Sequence, residues 1–105
     1  MNKYKILFTQ TFKDMFKYQF DKYKSYSPTY ALNIKKKLNE AISALEIFPY
    51  ATPSVKFRGK SETYRKFIIK KRFLIVFKVV DDTIYLLYFI DGRQAPKNYF
   101  KIYKD

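Results

Sequence analysis

The residues best equipped for chemistry are the four arginines, Arg58, Arg65, Arg72 and Arg93, all in the C-terminal half of the chain. A guanidinium is a flat fork of donors that grips two oxygens of a phosphate at once. A dense basic stretch surrounds three of them. It holds Lys56, Arg58, Lys60, Arg65, Lys66, Lys70, Lys71 and Arg72 against one acid, Glu62. Such a stretch suits a ribose-phosphate strand, although a charge run is most often a solvated face. The chain has no Cys and no His. Thiolate nucleophiles, Ser-His-Asp catalysis and Cys/His zinc sites are therefore excluded. Proton transfer would fall to a carboxylate, a phenol or a lysine of lowered pKa, and Glu62, Tyr64, Tyr99 and Lys60 are the candidates. Each also has a plainer reading. Glu62 reads more simply as a loop acid balancing its neighbours, Arg65 equally well as a cross-strand surface cation, and Tyr99 equally well as a tail aromatic packed on the body. Arg93 follows Gly92 just past an apolar run, where the backbone can approach a ligand closely, so a site role is favoured there. Asp81-Asp82 falls in a turn with no other ligand type nearby in sequence. No metal and no cofactor is expected.

The whole chain carries 22 Lys plus Arg against 9 Asp plus Glu in 105 residues, a balance of +13. That excess is larger than solubility requires and asks for a polyanionic partner. Nucleic acid comes first, an anionic membrane surface second and an acidic protein third. Hydrophobic residues make up 48% of the chain, which excludes a disordered basic tail. The length fits a single domain over residues 1–105 with one core. No run approaches the ~18 apolar residues that cross a bilayer. Met1–Phe8 is too short and too charged for a secretory apolar region, so a cytoplasmic location is expected.

Periodicity supplies the elements that must position these side chains. Tyr4, Ile6 and Phe8 alternate with their neighbours, as in a short strand. Phe12, Met15, Phe16, Phe20 and Tyr23 form one stripe of a helix over about residues 10–24, capped by Thr9 or Thr11. Ser27 and Pro28 restart a second helix over about residues 28–47, with Ala31, Ile34, Leu38, Ala41, Leu45 and Phe48 on its apolar face. The short break predicts an antiparallel helical hairpin. Residues 49–62 read as an irregular basic loop. The period then changes to two, predicting strands at 64–69, 73–80 and 83–90 in an antiparallel meander. The last two are apolar at nearly every position, so both faces should be covered. Strands grouped after helices indicate α+β, with the hairpin on one sheet face. Residues 94–105 read as a short helix or an arm. Most of the 11 Tyr and 11 Phe belong to the core by spacing, while Tyr64, Tyr85, Tyr88 and Tyr99 can offer rings to bases.

The order strand, two helices, basic loop, meander and terminal Gly-Arg resembles the RelE/ParE family of bacterial toxins. The segments that carry the resemblance are Lys56-Phe57-Arg58-Gly59, Tyr64-Arg65, Ile75 to Asp82, and Asp91-Gly92-Arg93. The resemblance implies the toxin of a type II toxin–antitoxin pair, neutralised by a small acidic cognate antitoxin. It also implies one of two targets. RelE-like members cleave messenger RNA on the ribosome, and ParE-like members poison DNA gyrase. On the RelE pattern, Arg58, Arg65, Arg93 and Tyr99 fall on phosphate-binding and active positions. A nuclease would then use Arg65, Arg93 and Tyr99 in catalysis, with Lys56, Arg58, Lys60 and Tyr64 expected on the RNA. Attack by a ribose 2′-OH would then need Arg65 and Arg93 to converge on one phosphate. Phe67 and Leu74 depart from that pattern, standing where RelE-like enzymes carry a Lys and an Arg. The long hairpin and its Phe48-Pro49 exit are more ParE-like. An mRNA endonuclease is the first expectation, and a gyrase inhibitor or a basic RNA-binding module is the alternative.

Overall fold

The computed structural model describes residues 3–55 and 63–93. Strand β1 (Lys5–Phe8) leads into helix α1 (Gln10–Tyr26), and Ser27 alone separates α1 from α2 (Pro28–Leu45). A single 3-10 turn at Pro49–Ala51 precedes β2 (Ser54–Val55), and β3 (Tyr64–Ile69), β4 (Phe73–Val80) and β5 (Thr83–Asp91) follow. The strands form one five-stranded sheet in the order β1-β5-β4-β3-β2. β1 runs parallel to β5, and the other pairs are antiparallel.

Local chemistry sets the helix ends. The Thr9 hydroxyl accepts the Phe12 N–H at 3.2 Å and donates to the Leu86 carbonyl at 2.8 Å, so one residue caps α1 and pins it to β5. The Ser27 N–H closes α1 on the Tyr23 carbonyl, while its hydroxyl accepts the Tyr30 N–H and opens α2. That double use carries α1 to Tyr26, two residues past the expected end. The Tyr4 N–H donates to the Glu46 carbonyl at 2.8 Å, which returns the end of α2 to the start of β1. The helices are therefore antiparallel, as the short break predicts. α2 stops at Leu45 because the Ile47 N–H turns back to the Ala44 carbonyl in a tighter final turn.

The helix stripes bury Phe12, Tyr23, Ile34, Leu38 and Leu45 against Phe73, Ile75, Phe77, Ile84, Leu86 and Phe89 of the sheet. Each such side chain contributes about 1.5–3 kcal/mol by leaving water. A smaller cluster of Tyr64, Val76 and Ile90 forms on the opposite face. The helices cover one face of the central strands. On the other, Val76 and Ile90 are buried but Leu74 and Tyr88 only partly so and Val80 is exposed, so the cover expected on both faces is partial there. Two features lie beyond the expected meander. β2 adds to its outer edge within the segment read as a loop, and β1 adds to the other side of β5.

An irregularity in β5 matters for function. Val76 pairs with Tyr88 and Phe77 with Leu86, which leaves Leu87 as an extra residue. Before the bulge, Ile84 and Leu86 face the helices. After it, Phe89 does, and Ile90 lies on the far side. The one-residue shift of phase turns Asp91 toward the helices. The β3–β4 turn places Lys70 at φ 53° and Lys71 at φ 55°, both left-handed and neither glycine. Among the described residues, no helix is long and apolar enough to cross a membrane.

Candidate functional site

Asp91 ends β5 with its side chain only 4% exposed. Such a carboxylate must be paired, and four groups converge on it. The Tyr23 hydroxyl donates to Oδ2 at 3.0 Å, and the Arg93 backbone N–H donates to Oδ1 at 3.0 Å. Arg72 Nε lies 3.6 Å from Oδ1, and the Arg93 guanidinium lies 3.8 Å from Oδ2. Arg93 also donates to the Tyr23 hydroxyl at 2.9 Å. Arg72 stacks on Tyr23, its guanidinium carbon 4.8 Å from the ring centre.

Gly92 makes the cluster possible. Its N–H donates to the Arg72 carbonyl at 2.6 Å, and a Cβ at this position would fall 2.6 Å from that same oxygen. Only a residue without a side chain allows the turn after β5 to come so close to the turn before β4.

Burial alone would push the Asp91 carboxyl up. The Arg93 N–H, the Tyr23 hydroxyl and the charges of Arg72 and Arg93 outweigh it, and the pKa is lowered. Asp91 therefore stays ionised and serves as an anchor for cations. Tyr23 is raised, by burial first and then by its bond to Asp91, so it stays a neutral donor. The cluster forms one wall of a hollow of about 680 Å³ at the turn end of the helical hairpin, where Ser27 joins α1 to α2. Lys22, Tyr26 and Ser27 line it from α1 and the junction, and Tyr30 lines it from α2.

The expected site residues are distributed differently. Arg65 lies on β3, where its guanidinium donates to the Thr52 carbonyl and sits 4.7 Å from the centre of the Tyr50 ring. Arg65 pairs with Phe77 on β4, whereas Asp91 pairs with Phe73. Four positions along β4 separate the two levels, roughly 13 Å at strand rise. Arg65 and Arg93 are thus held by different partners at different levels of the sheet. Tyr64 is buried with Val76 and Ile90 on the face away from the helices. Lys56, Arg58, Lys60, Glu62 and Tyr99 lie outside the described residues. Arg93 lies in the Asp91 cluster, paired with that carboxylate and with the Tyr23 hydroxyl. Sequence reasoning missed Tyr23, Arg72 and Asp91 as its partners. The available signals were a phenol on the apolar stripe of α1 and an acid ending an otherwise apolar strand.

A helical hairpin on one face of a small antiparallel meander, with a parallel first strand, is the architecture of RelE/ParE-like toxin domains. The chain belongs to the ParE toxin family of type II toxin–antitoxin systems, whose family model, described as the ParE toxin of the parDE system, matches residues 6–96. Membership implies a cognate antitoxin as partner. No curated protein matches the sequence.

Proposed function

We propose that this toxin arrests growth by binding its target, DNA gyrase, rather than by cutting RNA. The observation that carries this reading is the engagement of Arg65. A phosphate clamp needs cations that converge on one point with donors to spare. Arg65 instead braces the Pro49–Ala51 turn through the Thr52 carbonyl and the Tyr50 ring, roughly 13 Å along the strands from the level of Asp91. Phe67 and Leu74, on β3 and β4, add no cation where a RelE-like nuclease has two. The match to the ParE model points the same way. The antitoxin in this reading is acidic, complementing a chain of net charge +13, and toxin and target meet in the cytoplasm.

Expression of the toxin without antitoxin, followed by primer extension on cellular messages and an SOS reporter, tests the proposal. Induction of the reporter with intact messages is the expected result. Codon-linked cuts without SOS induction would overturn it, and would return Arg65, Arg93 and Tyr99 to catalytic roles with Lys56, Arg58, Lys60 and Tyr64 on the RNA.

A further inference from the structure

The hollow at the turn end of the helical hairpin brings cationic side chains and aromatic rings to one place. Lys22, Arg72 and Arg93 bring three positive charges to it, and Asp91 supplies one negative charge, leaving a local excess of +2. Asp91 is already engaged by Tyr23 and both arginines, so it does not close the site. Arg72 Nε is buried and ion-paired to Asp91 Oδ1 at 3.6 Å, a separation longer than a hydrogen bond. Arg93 is 64% exposed and keeps donors beyond the one given to Tyr23. The aromatic rings differ in availability. Tyr23 is flanked by Arg72 at 4.8 Å and Lys22 at 5.7 Å, and Tyr30 is covered by Lys70 at 4.7 Å. Tyr26, 77% exposed, is the ring with room for a planar ligand.

We propose that this hollow binds a nucleoside monophosphate, its phosphate held by Lys22, Arg72 and Arg93 and its base stacked on Tyr26. A phosphate monoester carries between one and a half and two negative charges at neutral pH, which offsets the local excess; one carboxylate would offset half of it. Fixed guanidinium forks suit its oxygens. A hollow of about 680 Å³ lies within the usual range for small-ligand sites.

Titration of the full-length protein with adenosine 5′-monophosphate, ribose 5-phosphate, inorganic phosphate and adenosine, followed by NMR shifts, tests the assignment. Adenosine monophosphate should bind at least about 5-fold more tightly than ribose 5-phosphate, the contribution of one stacked base. Tyr26→Ala should erase that advantage while ribose 5-phosphate still binds. Arg93→Gln should weaken both phosphate ligands by about 10-fold or more. Thermal unfolding of each variant verifies the fold, and Lys22→Ala gives a further substitution outside the Asp91 cluster. Adenosine binding as tightly as its monophosphate would overturn the proposal. So would phosphate binding that ignores Tyr26, Arg93 and Lys22 alike, or an absence of binding by all four ligands.

Discussion

The Tyr23 hydroxyl on α1 donates a 3.0 Å hydrogen bond to Asp91 Oδ2 at the end of β5, across 68 residues of sequence. This contact ties the turn end of the hairpin to the last strand and holds Arg72 and Arg93 in one place. It depends on the Leu87 bulge, because an unbulged β5 would turn Asp91 to the opposite face.

Asp91→Asn should cost about 2–3 kcal/mol of stability in chemical denaturation, because it leaves Arg72 against a neutral partner in a buried setting. The pH dependence has a definite sign. The folded pKa of Asp91 lies below its unfolded value of about 3.9, so between the two values the unfolded chain binds more protons. The contribution is present above that unfolded value and is lost as pH falls through the folded one. The stability difference between the native chain and Asp91→Asn should hold steady near neutrality and shrink below about pH 4.

Gly92→Ala should destabilise the fold by about 1–3 kcal/mol, since the added methyl meets the Arg72 carbonyl, a backbone atom without freedom to move aside. Thermal unfolding measures the loss. The Arg93 guanidinium resonance should also shift, because the turn that carries it must open.

Lys71→Gly should stabilise the protein by up to about 1 kcal/mol. Lys71 is exposed at φ 55°, a region that glycine enters without steric cost. Lys70 shares the geometry, but its ammonium lies over Tyr30 and bonds Asn33 at 3.3 Å, so Lys70→Gly should gain less. Paired urea titrations separate the two.

Much of the fold could be read from periodicity. The stripe of Ala31, Ile34, Leu38 and Leu45 marks α2 because burial demands that spacing, and Ser27-Pro28 marks its start because both residues act locally. β3 and β4 fall at their expected residues, and β5 gains only Asp91. Partnership was harder to read. Two residues of β2 carry too little pattern to stand out, and they are ordered by pairing with Tyr64 and Arg65. The Leu87 bulge is invisible in an all-apolar strand, since either phase looks buried. Without it, neither the turn of Asp91 toward Tyr23 nor the capture of Arg72 could be foreseen. Arg65 looked available for phosphate because its acceptor is a backbone carbonyl, which no side-chain pattern announces.

The most direct test of the account compares two reactions of the purified toxin. In one, gyrase supercoils relaxed plasmid in the presence of rising toxin; in the other, programmed ribosomes are mixed with the same concentrations. The account predicts loss of supercoiling near equimolar toxin, with the ribosome-bound message left whole. Cleavage of that message at defined codons, with gyrase unaffected, would contradict it.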